Sequence, residues 1–146
     1  MIAESVALSL ALAAAPTDVR TVSAPDSPVR LAHATALSGA DGPPVVLYEA
    51  SNPGDDQLDE FTVIVYVFRD GVLKARQTAP GRRTLDAHGA KYSAIVLDGI
   101  PILPTDLIVI GVNQAQKVGS DVWWRADLQE AAEAEAKRAR SPAPRP

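Results

Sequence analysis

The sequence predicts an all-β fold, an antiparallel sandwich of about seven strands followed by one C-terminal helix. Three observations carry this expectation. The first is Phe61-Thr62-Val63-Ile64-Val65-Tyr66-Val67-Phe68, where every residue is β-branched or aromatic and Arg69-Asp70-Gly71 follows at once. Such a run closed by Asp-Gly reads as a strand entering a hairpin. Its odd positions and its even positions are both mainly apolar, so the strand is expected to be covered on both faces. The second observation is punctuation: from Val45 to Trp124, apolar runs recur about every 8 to 12 residues between Gly, Pro, Asn and Asp turns, with no helical pattern between them. The third is a change of character after Arg125, where Ala126 to Arg140 is built of strong helix formers.

Taken in order, Pro16 to Pro28 is rich in Thr, Ser, Asp and Pro and reads as a linker or a loosely held first strand. Val29 to Thr35 alternates weakly and suits an edge strand. Gly39 to Pro44 is a loop, because Gly and adjacent prolines break both regular structures. Val45 to Ala50 is a strand ended by Asn52-Pro53-Gly54, and Asp55 to Glu60 is a polar connection to the long strand. Val72 to Gln77 is the hairpin partner of that strand. Ala79 to Arg83 turns the chain, Thr84 to Gly89 is a short approach and turn, and Lys91 to Leu97 is a strand. Asp98 to Asp106 is a Pro-bearing loop before the second strongly apolar strand, Leu107 to Gln114, and Val122 to Arg125 closes the sheet region. In the helix, acidic residues come early and Lys137, Arg138 and Arg140 late, which complements the helix dipole. Leu128 is its one large apolar residue, so the expectation is a weakly docked or protruding helix. Ser141 to Pro146 is expected to be an extended, disordered tail.

A chain of 146 residues holds one domain with a real core plus tails. A net charge of −4 does not by itself call for a nucleic-acid or membrane-surface partner. The chain contains no cysteine, which removes disulfides, thiol catalysis and Cys-ligated metal sites. Val6 to Ala15 is an uninterrupted apolar stretch ending in small residues, and Ala11-Leu12-Ala13 fits a signal-peptidase pattern. Residues 1–15 are therefore expected to be an export signal, placing the domain in the periplasm or outside the cell. Glu4 and the lack of Lys or Arg before the apolar stretch support the other reading, an N-terminal helix of a cytoplasmic protein that packs on the domain.

The order of signals from Val45 to Trp124 resembles the immunoglobulin-like and fibronectin-III-like domains of bacterial envelope proteins. The resemblance lies in a strand running into Ser51-Asn52, then a polar stretch, a Val/Ile/Tyr-rich strand, Arg69-Asp70-Gly71, Leu85 four residues before Gly89, and an apolar strand preceded by Asp106. In such domains the Leu-x-x-x-Gly element marks the crossing between sheets. The resemblance implies an immunoglobulin-like sandwich and transfers function poorly, because that architecture hosts adhesion, assembly, binding and spacing roles. The disulfide and Cys-flanked Trp of antibody-type domains are absent.

Candidate chemistry is sparse. His33 lies in a weak strand and His88 in a turn, with no metal-ligand spacing, so surface or turn histidines are expected. Asp55, Asp56, Asp59 and Glu60 cluster carboxylates that a hard cation such as Ca²⁺ could use, but the EF-hand order and its central Gly are missing. Solvated loop charge is the plainer account. There is no Gly-x-Ser-x-Gly elbow, P-loop or dinucleotide fingerprint, and no cofactor or enzymatic activity is expected. Arg82-Arg83 and Lys137-Arg138-Ala139-Arg140 lack the interleaved aromatics that stack nucleic-acid bases.

Trp123, Trp124 and Arg125 form the remaining candidate. Successive strand residues point to opposite faces, so one indole should close the core while the other turns outward. Cover by the helix through Leu128 is one expectation, and an open contact platform is the other. Two function classes follow. One is a non-catalytic interaction or structural module with a protein partner. The other is a small carbohydrate- or peptide-binding module using the outward Trp.

Overall fold

In a computed structural model, residues 17–38, 42–81 and 84–140 are described. The apolar stretch before Thr17, the Arg82-Arg83 pair and the tail after Arg140 lie outside the described residues. Among the described residues, eight strands form two sheets: β1 (Asp18–Val22), β2 (Arg30–Leu37), β3 (Val45–Ser51), β4 (Leu58–Arg69), β5 (Val72–Pro80), β6 (Ala90–Val96), β7 (Leu107–Lys117) and β8 (Val122–Trp124). One helix, α1 (Leu128–Arg140), follows. The smaller sheet has the order β2-β3-β6. The larger has the order β1-β7-β4-β5, with β8 pairing the far end of β7.

The long apolar run sits where its sequence demands. β4 pairs β7 on one side and β5 on the other. Phe61, Val63, Val65 and Val67 face the main core, with Val46, Tyr48, Ile95, Ile108 and Ile110. Ile64, Tyr66 and Phe68 face the opposite way and meet Val109, Leu128, Ala132 and Ala136. Two-sided burial explains the continuous apolar run, because from Val63 to Phe68 neither face of this strand meets water. Leu107 to Val112 pairs β4 directly, from Phe68 opposite Leu107 to Val63 opposite Val112, so the two apolar runs are neighbours in one sheet.

Three expectations are corrected. The sandwich is not wholly antiparallel: β1 runs parallel to β7, from Asp18 opposite Leu107 to Val22 opposite Gly111. The stretch read as linker or loose strand is thus a sheet member, anchored by buried Thr17, which bridges Ala36 of the smaller sheet. The acidic connection is shorter than expected, since β4 begins at Leu58, a fully buried core residue. The third correction concerns the helix, which docks.

Leu128, Ala132 and Ala136 are buried at a spacing of four residues, so the helix presents a narrow stripe of small side chains to the sheet. Small residues allow close approach, and Gly111 on β7 accepts it. A Cβ added at Gly111 would stand 2.5 Å from Leu128 Cδ1 and 3.0 Å from Val22 Cγ2. A helix of this length is marginal alone. Burial of Leu128 supplies roughly 1.5–3 kcal/mol, and polar ties at both ends add to it. Arg76 donates to Gln129, Arg20 pairs with Glu135, and Arg140 donates to the Asp70 carbonyl.

Two buried polar residues join the loops. Asn52, 1% exposed, donates to the carbonyls of Asp56, Leu85 and Asp86 and accepts from the Gly54 amide. Leu58 and Leu85 also exchange backbone hydrogen bonds, which places the Leu85-to-Gly89 element in the crossing from the larger sheet to the smaller. Asp106, also 1% exposed, accepts two hydrogen bonds of 2.9 Å from Arg69 and one of 2.8 Å from the Leu103 amide. These bonds hold its carboxyl below the usual aspartate value of 3.8, the Arg69 bond contributing most.

A depressed carboxyl pKa stabilises the fold above 3.8 and loses that contribution as pH falls through the folded-state value. Asp106→Asn is expected to lower the urea midpoint at neutral pH. The gap to the parent should close as pH drops below the aspartate range, which paired urea melts across pH would show.

Candidate contact site at the Trp123–Trp124 end

β8 is three residues long and holds its place through β7, with Gln114 opposite Trp124, Ala115 opposite Trp123 and Gln116 opposite Val122. The Arg125 amide extends the pairing by donating to the Asn113 carbonyl at 3.0 Å. Cross-strand partners share a face. Ala115 is buried in the main core, so Trp123 lies on the core side and packs against that cluster. Trp124 takes the other face and is 64% exposed. The alternation expected of a strand therefore divides the pair into an anchored indole and an open one. The helix does not cover the open one, because its buried stripe is spent on Tyr66, Phe68 and Val109.

The Trp123 ring is held from outside as well. Its Nε1–H donates to Asp26 Oδ2 at 3.0 Å. Asp26 sits in the β1–β2 connection, where the Ser27 amide donates to the Ala24 carbonyl and the Ser27 hydroxyl donates to the Val29 carbonyl at 2.8 Å. Between this connection and β8 lies a groove of about 380 Å³, walled by Trp123, Asp26, Arg30, Lys117, Asp121 and Pro53. A second recess of about 340 Å³ runs along the other side of Trp123, past Trp124, Arg125 and Asp127. Two carboxylates and two cations thus face an indole edge in the first groove, and an exposed indole borders the second. Such a set can stack an apolar ring face and hydrogen-bond polar substituents around it. Both recesses are open and within the size range of small-ligand sites.

Arg125 contributes less than its sequence position suggests. Its side chain is only 11% exposed and its Nε donates to Asp127 at 3.2 Å. Its Nη1 is buried without a hydrogen-bond partner. The guanidinium is therefore largely enclosed at the β8–α1 corner and tied to Asp127 there. Asp26, Arg30, Lys117 and Asp121 are the groove residues that sequence reasoning missed. They come from two stretches far apart in the chain, Asp26 to Arg30 and Lys117 to Asp121, and share no motif.

The other candidates do not converge. His33 is exposed at an irregularity in the β2–β3 register, with a left-handed φ of 52°. His88, φ 58°, is exposed in the turn before β6, where its Nε2 lies 2.7 Å from Asp55 Oδ1. Asp55 and Asp56 are in the β3–β4 loop, whereas Asp59 and Glu60 belong to β4. Among the described residues no group of three or more His, Cys, Asp or Glu side chains comes together as a cation would require. The basic end of the helix is used within the fold: Arg138 pairs with Glu135, and Arg140 reaches the Asp70 carbonyl. No helix among the described residues is long and apolar enough to cross a membrane. No family model, curated protein or solved structure matches the chain.

Acrylamide quenching of the intrinsic fluorescence should resolve two indole populations. Trp124→Phe should remove the strongly quenched, red-shifted one, and Trp123→Phe the protected one. Equal quenching in both variants would contradict the division of the pair.

Proposed function

We propose that this chain is a non-catalytic interaction module of the bacterial cell envelope, built on an immunoglobulin-like sandwich, with its contact surface at the Trp124 end. The observation that carries this reading is the 64% exposure of Trp124 on a strand whose neighbour Trp123 is anchored in the core and to Asp26. An exposed indole on a rigid base costs solubility and offers a large contact area with little side-chain entropy to lose, which is how interface aromatics work. The immunoglobulin-like assignment draws support from strand order. β2, β3 and β6 would stand for strands A, B and E of that fold, and β4, β7 and β8 for C, F and G. The parallel β1, which shares the β7 edge with a very short β8, is a departure from that scheme.

A second reading is favoured by the groove beside Trp123. Its indole, with Asp26, Asp121, Arg30 and Lys117, suits a small polar ligand with an apolar face, a carbohydrate or a short peptide. The two readings separate experimentally. Immobilised domain and its Trp124→Ala variant are exposed to envelope extract, and glycan and peptide arrays are probed with both and with Asp26→Ala. A protein retained by the parent and lost with Trp124→Ala supports the interaction module. Array binding that depends on Asp26 supports the groove. Identical retention by parent and Trp124→Ala, with silent arrays, would sink both.

Export is tested separately, by fractionating cells and sequencing the N-terminus of the mature chain. The expected start lies just after Ala13, and an intact Met1 in the cytoplasm would overturn the envelope assignment.

A further inference from the structure

β6 is the sandwich edge with the fewest obstacles to a further strand. β5, at the end of the larger sheet, carries Lys74, Arg76 and Pro80 and a register shift opposite Val67/Phe68. Charges, proline and bulges of this kind block strand addition. β2 is broken by its own register shift beside His33, and buried Thr17 bridges Ala36 on it. β8 has three residues, and β1, at the other end of the larger sheet, has five and carries Asp18 and Arg20. β6, in contrast, runs seven residues against β3 without a shift, contains no proline and bears one charge, Lys91.

The orientation of its backbone follows from two bonds. The Leu97 amide donates to the Pro44 carbonyl on the β3 side, at 2.9 Å. Strand alternation then turns the backbone groups of Ile95, Ser93 and Lys91 toward β3 and those of Val96, Ala94 and Tyr92 toward the outer edge. The Val96 carbonyl agrees, since it accepts from the Gln77 side chain across the sandwich at 2.8 Å. That tie sits at one end of the strand. At the centre, Tyr92 is 63% exposed with Ala94 and Leu47 beside it, an apolar patch along the sheet's outer face. On the inner face, the Ser93 hydroxyl is buried and has no hydrogen-bond partner.

We propose that β6 pairs antiparallel with β6 of a second copy of this chain, about a two-fold axis at Ser93, joining two three-stranded sheets into one of six strands. Three properties of the strand favour its own copy. In this register Ser93 stands opposite Ser93 in a non-hydrogen-bonded position, where Cα atoms are about 4.5 Å apart and side chains are closest. Each orphaned hydroxyl then meets the other, a cross-strand pair of the stabilising kind. Tyr92 faces Ala94 of the second copy, large against small, on both sides of the axis. Lys91 faces Ile95 of the second copy, so the two Lys91 ammonium groups stay apart, whereas an axis at Lys91 would set them against each other. A single edge is a small interface, below about 1,200 Å², so the dimer is expected to be weak and concentration-dependent.

The chain has no native cysteine, which makes register directly readable. Ser93→Cys, mildly oxidised, should form a covalent dimer, because a disulfide spans Cα separations of about 4.4–6.8 Å. Ala94→Cys and Lys91→Cys, which do not face themselves, should cross-link at least about tenfold more slowly. Sedimentation of the parent should show a reversible dimer. Ala94→Pro removes an outward N–H that β3 does not use and is tolerated on an edge. It should weaken the dimer about tenfold or more with an unchanged far-UV spectrum. A parent that sediments as a monomer at every concentration, or Ser93→Cys cross-linking no faster than the other two cysteine variants, would overturn the proposal. A dimer unaffected by Ala94→Pro would place the interface elsewhere and overturn it as well.

Discussion

The structure depends on one constraint: β4 and β7 form a central strand pair that is apolar on both faces, and each face must be covered. The main core takes Phe61, Val63, Val65, Val67, Ile108 and Ile110 from one side of the pair. Ile64, Tyr66, Phe68 and Val109 on the other side would present a large greasy surface if nothing lay over them. α1 is that cover. Its position follows from the sheet, since a helix with one large apolar residue does not choose its own site. It goes where Gly111 leaves room and where the exposed alternative is costliest.

Covering the two faces leaves the ends and edges of the sandwich to polar chemistry. Asn52 draws three carbonyls from two loops onto one amide, and Asp106 gathers Arg69 and the Leu103 amide. Buried polar groups of this sort cost stability unless every bond is made, and these two are well supplied. They stiffen opposite connections: Asn52 the loops before β4 and β6, and Asp106 the start of β7. The contact candidates lie on the same rigid frame, because Trp123 is anchored in the core and to Asp26 while Trp124 points away from it.

Much of this was legible in the residues. The Phe61-to-Phe68 run announces a strand buried on both sides, and Asp70-Gly71 announces its hairpin, with Asp70 and Gly71 both left-handed as such turns need. The split between Trp123 and Trp124 follows from strand alternation alone. Other features were not legible for identifiable reasons. Asp18 to Val22 is short, polar and Pro-flanked, and its parallel place beside β7 comes from Thr17 and a distant strand. The docking of α1 was obscured because Ala132 and Ala136 register as neutral in a hydrophobic pattern although they are fully packed. The groove residues Asp26 and Arg30 lie more than 90 residues before Trp123, and nothing local ties them to it.

By itself the sequence determined the β-rich class, the position of the central strand, the hairpin and the helix, since these rest on local periodicity and turn chemistry that neighbouring residues specify. Tertiary structure alone decided which strands beyond that hairpin are neighbours, that one pair runs parallel, that the helix lies flat on the larger sheet, and which charged groups from the β1–β2 connection reach Trp123. Those outcomes depend on closing long loops and on the fit of surfaces far apart in the chain, and no local pattern encodes such distances.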